Sequence, residues 1–194
     1  MTKLRRDQLV VVDIEATCWR RSEPPPGQFP EIIEVGLCIL DLASATPSRK
    51  RSILVKPERS RVSSFCRKLT GITQEMVDGG VSFAEACETV VKEYDTFDLT
   101  WVSWGDYDRR KFQAQCRERN VPYPFSDSHI NVKRVYAEVK KIKPVGLGRA
   151  VRDSHLEFEG SHHRGHDDAW NIAKVLGILL KEHGPSLLAP YWQA

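Results

Sequence analysis

The sequence predicts an α/β protein in which helices flank a mixed β-sheet. Three observations lead there. Residues 8–15 (QLVVVDIE) are a continuous apolar run closed by acids, as expected of a strand covered on both faces. Two more runs rich in Ile, Val and Leu follow at short spacing, and beyond them strand-like runs alternate with helical periodicity. The chain has 194 residues, the size of one domain, and no internal linker or repeat divides it.

Residues 8–15 form the first strand, 31–42 (EIIEVGLCILDL) the second and 51–55 (RSILV) the third. Their connections suit an antiparallel meander. Pro24-Pro25-Pro26-Gly27 is a loop within the first connection. SFAEACETVVKEY (82–94) has apolar residues at helical spacing, with Ser82 as its cap and Glu85 three residues on. TWVSW (100–104) reads as a strand, followed by the helix RRKFQAQCRER. HINVK (129–133) is another strand leading into helical residues 134–140. Helices over 146–154 and from about Asp167 to Glu182 complete the chain, the last of them an amphipathic core helix.

Composition narrows the class. With 41% hydrophobic and 28% charged residues, the chain is neither disordered nor collagen-like. No apolar run approaches the roughly 20 residues of a bilayer span, so no membrane partner is expected. The apolar run at residues 9–12 meets Asp13 at once, which argues against a secretory signal. Five cysteines without a CxxC pair read as free thiols of a reducing compartment, hence a cytoplasmic protein. A net charge of +3 is too mild to identify a nucleic-acid binder, although basic residues fall in knots such as Arg20-Arg21 and Arg67-Lys68. The apolar tail at 187–192 covers either the protein's own surface or a partner's.

Acids stand in three places where packing does not ask for them. Asp13 and Glu15 close the first strand, share one of its faces and can reach a common ion. Buried carboxylates are costly unless paired or bound to a cation. A solvent-exposed strand end accounts for an isolated D-x-E equally well. SWGDYDRRKF (103–112) offers Asp106 and Asp108, for which helix capping is the simpler reading. GSHHRGHDDAWNIAKVL (160–176) opens a helix with Asp167 and Asp168, behind His162, His163 and His166. Negative charge suits a helix start, and the histidines lack the partners of a zinc site. GLGRAV (146–151) has neither the third glycine nor the context of a dinucleotide loop.

Together these motifs resemble those of the DEDDh family of 3′→5′ exonucleases, which includes proofreading exonucleases and ribonuclease T. Asp13 and Glu15 match its D-x-E motif. Tyr107-Asp108 with Phe112 matches the second motif, and His163 with Asp168 matches H-x(4)-D. The resemblance covers about residues 8–182. His162 and Asp167 have the same separation as His163 and Asp168, so the choice of the later pair rests on the resemblance. The Phe112 spacing favours Asp108 over Asp106. DIEATC, FPEIIEVG, FCRKLTGIT, SWGDYD and HHRGHDDAWNIA resemble the branch with Eri-type enzymes that trim histone messenger RNA and small RNAs. The extra nucleic-acid-binding domain of some of those enzymes is not expected here.

The resemblance implies a ribonuclease H-like sheet in a single exonuclease domain over 1–194. It also implies metal-dependent hydrolysis at the 3′ end of single-stranded nucleic acid, RNA favoured slightly over DNA, with release of nucleoside 5′-monophosphates. Two divalent cations, Mg²⁺ or Mn²⁺, about 3.5–4 Å apart serve such a reaction, and both prefer oxygen ligands. Asp13, Glu15, Asp108 and Asp168 are then the metal ligands, with Asp13 bridging. His163 becomes the general base, a role worth about 10²–10⁴-fold, and must be neutral at working pH. Stacking of a base on an aromatic contributes about 1–3 kcal/mol. The resemblance assigns Phe65 and Tyr107 to sandwich the terminal base. It assigns the backbone around Ala16 and Thr17 to the last nucleotide, and Leu69 and Thr70 to the same pocket; Trp19 joins them or packs under the proline loop. Two rival readings are a non-catalytic regulatory or nucleic-acid-binding module on this fold, and a hydrolase of very short oligonucleotides.

Overall fold

The computed structural model describes residues 4–192. Its sheet comprises β1 (Arg5–Ala16), β2 (Ile32–Asp41), β3 (Thr46–Leu54), β4 (Leu99–Ser103) and β5 (His129–Asn131), in the order β3-β2-β1-β4-β5. The first three strands are antiparallel neighbours, and β4 and β5 add in parallel, as the sequence predicts. Helices α1 (Ser64–Thr70), α2 (Gln74–Asp78), α3 (Phe83–Tyr94), α4 (Tyr107–Arg119), α5 (Val132–Lys140), α6 (Leu147–Asp153) and α7 (Gly165–His183) surround it.

β1 lies at the centre, and its two faces feed two cores. Leu9 and Val11 pack with Ile172, Leu176 and Leu179 of α7, whereas Val10, Val12 and Ile14 pack with Phe83 and Val90 of α3 and Phe112 of α4. Side chains alternate along a strand, so Asp13 and Glu15 continue the row that faces α7. β2 carries the matching row: Asp13 pairs with Gly36 and Glu15 with Glu34.

Glycine permits the close contact between α7 and this sheet. A Cβ on Gly36 would lie 1.8 Å from the carbonyl carbon of Gly165, and one on Gly165 would lie 2.9 Å from the Asp13 carbonyl oxygen. Any side chain at either position would push the helix away.

β1 and β3 extend beyond their apolar runs, to Arg5 and Thr46, because backbone pairing continues after burial ends. α4 and α7 each begin two residues before the predicted start. α1 and α2 were not expected. At seven and five residues they are too short to show a helical period, and their capping hydroxyls, Ser63 and Thr73, are the main local signal. The tail covers the protein's own surface: Leu187, Leu188, Tyr191 and Trp192 pack on the α7-side core. Among the described residues, no helix is long and apolar enough to cross a membrane.

Candidate active site

The acids of all three motifs meet where the apolar part of β1 ends. Asp13, Glu15, Asp108 and Asp168 line one cavity of about 470 Å³, together with Tyr107, His162 and His163. Three elements supply them. Asp13 and Glu15 stand on the α7-facing row of β1. Asp108 lies in the first turn of α4, is 4% exposed, and accepts the Ile14 N–H at 3.1 Å, which ties α4 to the strand. Asp168 lies in the first turn of α7, where its Oδ2 accepts the His163 N–H at 2.9 Å.

His163 has a left-handed backbone (φ 61°), an uncommon conformation for a non-glycine residue that histidine adopts more readily than most. Its Nδ1 lies 4.0 Å from Glu15 Oε1. Glu15, His163 and Asp168 each offer a donor atom, and the three lie within 4.8 Å of one another. Asp168 Oδ1 is buried without a hydrogen-bond partner.

Burial raises every carboxyl in the cluster, and repulsion from neighbouring carboxylates adds to it for Asp13, Glu15 and Asp168. Asp13 is pushed well above the usual carboxylate range, Glu15 to about 9, Asp108 to about 6 and Asp168 to about 7. Such a cluster favours bound protons or cations over bare negative charge. His163 moves the other way: burial, aided by the neighbouring His162, lowers its pKa and favours the neutral imidazole.

The neighbouring candidates turn elsewhere. Asp167 binds Lys50 at 2.5 Å and accepts the Ser161 N–H at 2.8 Å, outside the cavity. Asp106 accepts a hydrogen bond from Asn131 Nδ2 and occupies the N-cap of α4 without making a side-chain cap. His162 does reach the cavity, but its ring lies on Phe158 with centroids 3.7 Å apart.

The expected nucleotide contacts divide. Tyr107 lines the cavity and is 52% exposed, an unusual position for a large ring. Phe65 and Leu69 line a separate groove with Arg20, Ser64 and Lys68. That groove borders β1, because the Cys66 thiol of α1 donates to the Ala16 carbonyl. Thr17 and Thr70 turn their side chains inward. Thr17 is fully buried; its N–H donates to Glu31 O, and its hydroxyl bridges Phe29 O and the Glu31 N–H. Thr70 is also buried, its hydroxyl closing α1 between Cys66 O and the Ile72 N–H. Both threonines spend their hydroxyls inside the protein.

Sequence reasoning met Arg20 and Lys68 of the groove only as members of basic knots, and passed over Glu34 behind the cavity. The one sequence signal for Glu34 was an acid inside the apolar run EIIEVG.

Comparisons with known proteins identify the family. The family model RNase_T, described as exonuclease, matches residues 10–176. Mouse ERI1 exoribonuclease 2 is 30% identical over 198 residues, covering 90% of this chain and 28% of the relative. The Drosophila melanogaster 3′-5′ exonuclease Snipper is 28% identical, covering 90% of this chain and 69% of its own. Rat 3′-5′ exoribonuclease 1 is 31% identical, with 91% of this chain and 54% of the relative covered. The chain thus spans from 28% to 69% of the length of these curated relatives. The crystal structure of the nuclease domain of 3′hExo, a DEDDh family member bound to rAMP, superposes with a TM-score of 0.84 at 26% identity. That match covers 95% of this chain and 96% of the other.

Proposed function

The chain belongs to the exonuclease family, and from that premise we propose that it is a metal-dependent 3′→5′ exonuclease acting on single-stranded 3′ ends. The observation that carries this reading is the convergence of Asp13, Glu15, Asp108 and Asp168 on one cavity, with His163 beside them. Relatives named exoribonucleases support RNA as the favoured substrate over DNA. The cysteine pattern supports the cytoplasm as its location.

The donor set fits divalent cations. Four carboxylates supply oxygen ligands only, their raised pKa values mark a demand for positive charge, and Asp168 Oδ1 is buried without a partner. Mg²⁺ or Mn²⁺ held by Asp13, Glu15, Asp108 and Asp168 would supply charge for the attacking water and for the leaving oxygen. The protein's own residues do the rest. His163, neutral at pH 7, takes the proton of the attacking water at Nδ1, the nitrogen near Glu15. The water oxygen bonds to phosphorus as the bond from phosphorus to the 3′ oxygen of the preceding nucleotide breaks. A nucleoside 5′-monophosphate leaves, and the freed 3′ oxygen takes a proton from solvent to become the new 3′ hydroxyl of the shortened strand. Tyr107 and Phe65 offer exposed rings on which the frayed base stacks, with Leu69 beside Phe65. Ala16 joins them at the strand end. The groove lined by Arg20 and Lys68 favours a chain of several nucleotides over a dinucleotide substrate.

A time course on 5′-labelled single-stranded RNA and DNA of one sequence tests the reading. The expected result is a ladder shrinking from the 3′ end, faster on RNA, abolished by EDTA and by Asp13→Ala. Intact strands in both Mg²⁺ and Mn²⁺, together with tight RNA binding, would replace it with the non-catalytic module.

A further inference from the structure

We propose that Glu34 is a positioning residue for the catalytic set: from β2 it holds the start of α7, and thereby His163 and Asp168, in register with Asp13 and Glu15. The proposal rests on the exonuclease reading. Glu34 is fully buried and lies directly opposite Glu15 on the neighbouring strand. Three consecutive residues at the start of α7 bind its carboxylate. Arg164 donates from Nε to Oε2 at 3.2 Å and from Nη2 to Oε1 at 3.3 Å. The Gly165 N–H donates to Oε2 at 2.9 Å, and His166 Nδ1 lies 2.8 Å from Oε1. From the far edge of the sheet, the Ser52 hydroxyl completes the shell at 2.5 Å.

Placing one more carboxylate beside a cluster of buried acids is unfavourable unless it has donors of its own. Burial alone would raise its pKa. The Arg164 guanidinium, the Ser52 hydroxyl and the Gly165 N–H overcome this and hold Glu34 ionised, below the usual range. α7 has no side-chain cap of its own, since its N-cap residue is Arg164. Glu34 supplies that missing acceptor from another element, where negative charge also suits the helix dipole.

The segment it holds lies between the two residues that matter. His163 immediately precedes Arg164, and Asp168 follows one helical turn later. The contact between Gly36 and Gly165 sets how closely α7 approaches the sheet, and Glu34, two residues back along β2, sets its lateral position. Glu34 does not line the cavity, so its influence passes through His163 and Asp168. A misplacement of about 1 Å at a catalytic group costs on the order of 10²-fold in rate.

The test compares wild type, Glu34→Gln, Glu34→Asp and Ser52→Ala in steady-state RNA hydrolysis and in amide hydrogen exchange. Glu34→Gln places an amide among donors. The expected result is a fall in kcat of about 10–100-fold with KM within about twofold, and faster exchange confined to residues 162–168. Glu34→Asp keeps the charge and should lose less, while Ser52→Ala removes one donor to Glu34 but leaves those from Arg164 and Gly165, so its fall in kcat should be smaller than that of Glu34→Gln. The proposal is overturned if Glu34→Gln keeps wild-type kcat and exchange. It is equally overturned if both Glu34 variants lose protection throughout the sheet, which would mark Glu34 as a general folding residue. Wild-type protein that fails to shorten RNA would instead defeat the exonuclease reading, and the exchange measurement would still decide the role of Glu34.

Discussion

Asp167 and Asp168 are neighbours in the chain and opposites in environment. Lys50 and the Ser161 N–H hold Asp167 below the usual carboxylate range against its burial, whereas burial with few partners lifts Asp168 to about 7. Consecutive helix positions point about 100° apart, so only one of the two can face the cavity. We expect Asp168→Asn to lower kcat by about three orders of magnitude, since the proposed cation site would lose one carboxylate. Asp167→Asn should leave kcat within about tenfold while lowering Tm, because Lys50 loses its partner. Steady-state rates beside a thermal melt check both, and a dead Asp167→Asn protein with unchanged Tm would reverse the assignment. For His163→Ala the expected loss is about 10²–10⁴-fold in kcat with KM little changed. Spacing alone left 162/167 and 163/168 equivalent; helix phase separates the two aspartates. It does not separate the histidines, both of which reach the cavity.

Elements differed in how clearly the sequence announced them. α3 was legible because its cap is local: the Glu85 N–H donates to Ser82 Oγ at 3.2 Å, and the Ser82 N–H returns the bond to Glu85 at 2.8 Å. Ser82→Ala should cost about 1 kcal/mol and lower Tm by about 2–4 °C, with kcat and KM unchanged, since α3 lies away from the cavity. The seat of α7 was not legible. Nothing in the string EIIEVG announces that Gly36 touches Gly165, because that contact joins residues more than a hundred positions apart. Gly36→Ala would place a methyl 1.8 Å from the Gly165 carbonyl carbon, so α7 must shift. The expected cost is about 1–3 kcal/mol or more, read as a fall in Tm, with a large loss of kcat because Asp168 and His163 travel with the helix. Wild-type activity in that variant would show that the site tolerates movement of α7.

At the scale of the molecule, the fold gathers carboxylates that repel one another, and its stability must depend on pH and on cations. Glu15 titrates at about 9 in the folded protein and near 4.5 when unfolded. Between those values the folded state binds more protons than the unfolded chain, so cation-free stability falls as pH rises. In EDTA, Tm should be lower at pH 8 than at pH 5.5. Mg²⁺ or Mn²⁺ should raise Tm, and more so at pH 8, where the cation competes with fewer protons. Equal Tm values across this range, with no response to either cation, would mean that the carboxylates do not act as one site. The sequence by itself determined the sheet order of strand types, the central strand and the acids worth following, because apolar period and strand-end charge are local signals. Only the tertiary structure brought the favoured acids Asp108 and Asp168 into one cavity with Asp13 and Glu15, and turned the hydroxyls of Thr17 and Thr70 inward. It alone revealed the bonds between Glu34 and the start of α7. Those outcomes depend on helix phase, on two glycines in contact and on a carboxylate bonded across 130 residues, and such long-range contacts leave no periodic trace in the chain.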